Sequence, residues 1–88
     1  MDSPVTVQDD IRRYITDDLG WGGDPTELTE GLDLIEHRVV DSLSIVELST
    51  LLEQWYGVQV DVTELLYDNF HSLGAIAGFV ERKKLAVP

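Results

Sequence analysis

Asp41-Ser42-Leu43-Ser44-Ile45-Val46-Glu47-Leu48-Ser49-Thr50-Leu51-Leu52-Glu53-Gln54-Trp55-Tyr56-Gly57 is the stretch whose reading decides the fold. Asp41 suits a helix N-cap, because its carboxylate accepts from the free amides of a first turn. Leu43, Val46, Leu48, Leu51, Leu52 and Trp55 then recur at helical spacing as a wide apolar stripe. Gly57 suits the position just past a helix end. The spacing predicts a helix over residues 42–56. On this reading Val46 faces the core, so an aspartate there would bury an unpaired charge and unfold the chain. Glu47 reads as a surface acid whose reversal to lysine leaves the fold intact.

Upstream, Val7, Ile11, Ile15 and Leu19 recur every four residues with Tyr14 beside them. That is one apolar helix face, and it predicts a helix over residues 5–19. Gly20 ends it, and Gly22, Gly23 and Pro25 prevent its continuation. Residues 20–40 form a long connection carrying Leu28, Leu32, Leu34, Ile35, Val39 and Val40. A loop of that length is pinned to the core or functional, with a helical turn expected at residues 25–28 or 32–35.

Downstream, Val58-Gln59-Val60 is a short extended connector. Asp61 and Glu64, three residues apart, have the spacing of a capping box, so a short helix is predicted over residues 62–67. Ser72 caps a further helix with Leu73, Ile76, Phe79 and Val80 inward. Gly74 and Gly78 weaken it by roughly 1 kcal/mol each relative to alanine, a cost that close backbone packing would explain. Arg82, Lys83 and Lys84 lie toward its C-terminal end, where the helix dipole favours cations. The expected fold is all-α, a small four-helix bundle with three long helices and one short, in a single domain over residues 1–88.

The 88 residues hold 6 Lys+Arg against 17 Asp+Glu, a formal charge of −11, with 43% hydrophobic residues and no cysteine. Disulfides, thiolate nucleophiles and cysteine metal sites are thereby excluded, and apolar packing must hold the fold. The charge argues against nucleic acid and anionic membranes as partners and favours basic surfaces. No stretch approaches the ~20 apolar residues of a membrane span. Met1-Asp2-Ser3-Pro4 lacks the basic start and apolar run of a secretory signal. A soluble, cytoplasmic, monomeric protein is expected.

The basic residues are Arg12, Arg13, Arg38, Arg82, Lys83 and Lys84. Between Arg38 and Arg82 lie seven acids and no base: Asp41, Glu47, Glu53, Asp61, Glu64, Asp68 and Glu81. A docking face for basic partners is weighed there against a merely solvated surface.

Catalytic constellations are poor. The only histidines are His37 and His71, read as a solvated loop residue and a turn residue. A Ser42–His37–Asp41 triad can be written down, but Asp41 and Ser42 are sequence neighbours, and no nucleophile elbow or oxyanion loop accompanies them. Asp9-Asp10 and Asp17-Asp18 lack the alternating oxygens and glycine of a calcium loop. Gly22-Gly23 lacks the rest of a phosphate-binding fingerprint. No enzyme and no metal are expected. One feature has chemical logic: Ser42 opens the most apolar helix just after its cap. The free amides and positive dipole end there would stabilise an anionic group on its hydroxyl.

Asp41-Ser42-Leu43, then Ile45-Val46-Glu47-Leu48, Leu51-Leu52-Glu53 and Tyr56-Gly57-Val58 together resemble the acyl carrier protein family. The resemblance continues through Asn69-Phe70 and Ala75-Ile76-Ala77 and covers nearly the whole chain. It implies that a phosphopantetheinyl transferase attaches 4′-phosphopantetheine from coenzyme A to Ser42. The arm's thiol holds an acyl or aminoacyl group as a thioester. It implies further that loading and downstream synthase or tailoring enzymes dock through basic patches on the helix after the serine. Carried over, Asp41, Leu43, Glu47 and Glu53 are the expected contacts, with Glu64 and Asp68 in the short third helix.

Val39-Val40 stands where many fatty-acid carriers have small residues, and the Gly-Gly-His-Ser of typical nonribosomal peptide carriers is absent. Thr50 occupies a position that is often apolar in the family's recognition helix. The resemblance therefore implies a free-standing carrier of a polyketide, fatty acid or related natural-product pathway. The alternatives are an aminoacyl or peptidyl carrier, or an unmodified acidic adaptor with the carrier fold. Trp21 and Trp55 are expected to serve packing.

Overall fold

The computed structural model describes residues 4–86. Four helices form it: α1 (Pro4–Arg13), α2 (Ser42–Tyr56), α3 (Tyr67–Phe70) and α4 (Leu73–Ala86). No strand occurs among the described residues. Three helices are long and one short, as the sequence pattern predicts.

The apolar spacing of α1 carries past Arg13 in a wider turn. Tyr14–Asp18 is π-helical, and the Leu19 amide donates to the Tyr14 carbonyl at 3.2 Å. Gly20, at φ 70°, then ends it. Val7, Ile11, Tyr14 and Ile15 are buried against Leu73, Ile76, Ala77, Phe79 and Val80 and the other apolar residues of one cluster. α1 packs chiefly on α4. α2 adds Leu48 and Leu52 to the same core, and α3 adds Phe70, whose ring lies 5.4 Å from that of Phe79.

The long connection is pinned rather than free. Leu28, Leu34 and Val40 are buried in the core. The Arg12 guanidinium donates to the Leu28 carbonyl through Nε at 3.2 Å and Nη2 at 3.1 Å. The Gln8 amide donates to the Glu30 carboxylate at 2.7 Å, and the Gly74 amide to the Glu30 carbonyl at 3.0 Å. A Cβ on Gly74 would stand 2.7 Å from Glu30 Cγ, so the close approach expected there is real. At Gly78 the nearest atom would be 3.6 Å away, and no crowding accounts for that glycine. The expected early turn is a 3-10 turn at Pro25–Glu27.

The short third helix begins later than the sequence suggests. Asp61 and Glu64 do form a capping box, but it closes a single 3-10 turn, Val62–Glu64. The Glu64 carbonyl then accepts from the Leu66 amide at 2.8 Å and the Asn69 side-chain amide at 2.9 Å. Leu66 is extended, at φ −108° and ψ 152°, and α3 starts only after it.

Candidate functional site

Ser42 is the first residue of α2, and the elements before it set its position. Asp33 Oδ1 accepts from the Ile35 amide at 3.1 Å and the Glu36 amide at 2.8 Å, which starts one helical turn. The turn ends in Schellman fashion. The Val39 amide donates to the Leu34 carbonyl at 2.8 Å, and the Arg38 amide to the Ile35 carbonyl at 3.1 Å. Arg38 occupies the left-handed position, φ 58°, that glycine usually fills. For a residue with a Cβ that conformation costs about 1–2 kcal/mol. The Leu34 amide donates to the His71 carbonyl at 2.6 Å, and the Tyr67 hydroxyl donates to Asp33. The loop delivering Ser42 is thus fastened to α3 and the start of α4.

Asp41 is extended, and its Oδ1 accepts from the Ser44 amide and the Ser44 hydroxyl, both at 2.9 Å. The Ser44 amide first, and then its hydroxyl, hold the Asp41 carboxyl below its ordinary range. At the other end Gly57 adopts φ 70° and donates to the Glu53 carbonyl at 2.9 Å. Both predicted caps of α2 are present.

Ser42 itself is exposed. The Ser44 hydroxyl bonds Asp41, the Ser49 hydroxyl donates to the Val46 carbonyl at 2.6 Å, and Ser72 Oγ accepts from the Ala75 amide at 3.1 Å. The Ser42 hydroxyl alone has no hydrogen-bond partner among the described serines. It stands at the positive end of a fifteen-residue helix. An open hydroxyl there fits a phosphodiester, whose charge the helix end favours. His37 lies exposed in the loop and makes no hydrogen bond to Ser42, so the written triad is not assembled.

The other candidates divide. Leu43 is 77% exposed and lies beside Ser42 as an open apolar contact. Val46 is 50% exposed, which corrects its assignment to the core. The stripe on α2 is wider than the face the bundle covers. Only Leu48 and Leu52 reach full burial, with Ile45, Leu51 and Tyr56 at the edge. Trp55 is 41% exposed: its ring packs edge-on against Tyr56 at 6.2 Å, and its open side borders a groove with Asp10, Arg13, Tyr14, Asp17 and Asp18.

The acids expected to meet partners have internal work. Glu47 accepts from the hydroxyl of buried Tyr14 at 2.5 Å. Burial, and then this bond, push the Tyr14 phenol well above its ordinary range. Glu53 accepts from the Val60 amide at 2.8 Å and so holds the connector against α2. Glu64 accepts from the Asp61 amide at 2.9 Å and from Lys83 Nζ at 2.9 and 3.0 Å. The Asp61 amide first, and then Lys83, keep the Glu64 carboxyl below its ordinary range. Asp68, in α3, is exposed and makes no hydrogen bond or ion pair with the described residues. Tyr14 and Lys83 are thus two residues of the site that local spacing does not reveal, because each bonds an acid far away in sequence. Arg38 is a third.

Residues 9–80 match the family described as "Phosphopantetheine attachment site". The chain is also similar to the acyl carrier protein of Thermotoga maritima, at 32% identity over 73 residues that cover 83% of this chain and 85% of that protein. With an open serine heading a capped helix of a four-helix bundle, these matches show that the chain belongs to the acyl carrier protein family, whose members are carriers of covalent 4′-phosphopantetheine and not enzymes.

Proposed function

We propose that Ser42 is the attachment point of the 4′-phosphopantetheine arm in a cytoplasmic, monomeric carrier. The observation that carries this reading is the Ser42 hydroxyl, exposed and without a partner while the hydroxyl oxygens of Ser44, Ser49 and Ser72 are engaged. When bound, the group supplies a thiol on which an acyl or aminoacyl unit rides as a thioester. Asp41 fixes the first turn of α2, so the hydroxyl is presented at one place relative to the docking helix. Leu43 and Val46 offer open apolar surface next to it, and Asp41 and Asp68 offer open charge. Glu47, Glu53 and Glu64 serve the partner surface with whatever negative potential their internal bonds leave.

The pathway we favour builds a polyketide, fatty acid or related natural product. The absence of Gly-Gly-His-Ser supports it over a typical nonribosomal peptide carrier, and Val39-Val40, where many fatty-acid carriers have small residues, favours its natural-product branch. Incubation with coenzyme A and a broad phosphopantetheinyl transferase, read by intact mass, tests the attachment. The wild type gains one arm and Ser42→Ala gains none. Folded wild type of unchanged mass would refute the attachment.

A further inference from the structure

Arg38 is exposed, and its guanidinium has no hydrogen-bond, ion-pair or ring partner among the described residues. This holds in a chain of charge −11, with Asp33, Glu36 and Asp41 within five residues of it. It is the sole Lys or Arg between Arg13 and Arg82. It is also the one non-glycine residue at positive φ among those described, in a turn where glycine would fit without strain. The residue thus places an unpaired, solvent-exposed cation on a strained backbone. Its place is the turn that delivers Ser42. The amides of Val39 and Val40 both donate to the Leu34 carbonyl, at 2.8 and 3.2 Å, so the turn is tied down. Only three residues, Val39, Val40 and Asp41, separate Arg38 from Ser42, so the Cα atoms of Arg38 and Ser42 lie at most about 14 Å apart.

We infer that Arg38 is a positioning residue whose guanidinium pairs with the phosphodiester that joins the arm to Ser42. The inference rests on the attachment proposed above and deepens it. A guanidinium binds phosphate oxygens through paired N–H donors, which fixes direction as well as position. The partial positive charge at the N-terminal end of α2 favours the same phosphate. Between them they orient the first atoms of the arm relative to Leu43 and Val46, the exposed apolar residues of the docking helix.

The test compares unloaded and loaded protein, each confirmed by intact mass, for the wild type and for Arg38→Gln. Glutamine keeps a long side chain on the strained backbone and removes only the charge. Loading raises the wild-type melting midpoint by about 2–4 °C more than that of Arg38→Gln at low salt. The difference shrinks in molar salt, which screens an exposed pair. In the wild type alone, the Arg38 Nε–H resonance shifts on loading. Equal loading shifts for both proteins, or an unmoved Nε–H resonance, overturns the inference. So does a variant that is merely loaded more slowly while its loaded form behaves as wild type, because the contact then belongs to the transferase complex. A wild type that gains no mass overturns the attachment and this inference with it. A mass gain without the Arg38 effects overturns this inference alone.

Discussion

α4 and α2 carry apolar stripes of similar richness, and the bundle treats them differently. α4 buries Leu73, Ile76, Ala77, Phe79 and Val80. α2 buries Leu48 and Leu52 and leaves Leu43 and Val46 open. The hydroxyl of Tyr14 bonds Glu47, and that of Tyr56 bonds Asp10, so two tyrosine–carboxylate bonds attach α2 to the α1 segment. One helix is therefore a wall of the core. The other is a platform fastened to it, with apolar surface to spare on the side of Ser42. Periodicity alone reports the stripe and not which half of it is covered.

The largest effect should come from the wall. Phe70→Ala removes a fully buried ring that packs on Phe79 and should cost about 3–5 kcal/mol, read by chemical denaturation. The fastening should rank second. Glu47→Lys leaves the buried Tyr14 hydroxyl without its acceptor and should cost about 1–3 kcal/mol. Tyr14→Phe should rescue part of that loss in the double variant, and full additivity would show that the bond does not tie α2 down. This revises the reading of Glu47 as a surface acid free to be reversed.

Smaller again is the response to pH. The carboxyls of Asp33, Asp41, Asp61 and Glu64 lie below their ordinary values, held by the Tyr67 hydroxyl and then amides at Asp33, by amides and then hydroxyls at Asp41 and Asp61, and by the Asp61 amide and then Lys83 at Glu64. Such groups contribute stability that is present above their unfolded pKa values and is lost as pH falls through the folded ones. Melting midpoints should therefore drop below about pH 4. Tyr14 and Tyr67 are shifted upward, so their contribution is present below their ordinary value of 10.0 and is lost as pH rises beyond it. Tyr14→Phe should flatten the alkaline limb and leave the acid limb unchanged.

The smallest effect belongs to the platform's open face. Val46→Asp should alter stability by under about 1 kcal/mol while weakening capture by a docking enzyme, measured by titration calorimetry. An unfolded variant would return Val46 to the core and erase the contrast between the two helices.

The features legible in the sequence were those set by neighbours along the chain. Asp41, Gly57 and Ser72 cap their helices as their types and places require. The Asp61–Glu64 box forms as the spacing predicts. Features set by distant partners were not legible. Tyr14 and Glu47 lie 33 residues apart, and Lys83 meets Glu64 from 19 residues away. No local pattern joins either pair. Arg38 was hidden for the opposite reason, because local sterics argue against a side chain at its φ of 58°. The openness of Ser42 was half legible. Its place at the helix start follows from Asp41, but the lack of any partner emerges only once Ser44 is seen to take the cap.

The close packing of α1 on α4 has a consequence for how the protein is made. Residues 14–72 lie between these two helices, so the contacts that complete the core are the most remote along the chain. A ribosome supplies α1 and α2 well before α4. Until α4 emerges, Val7, Ile11 and Ile15 have no wall to close against, and α2 is the long helix with both ends already capped by its own neighbours. The serine's helix can thus take shape early, whereas the bundle closes late and in one step. Birth of the fold is timed by translation of its fourth helix.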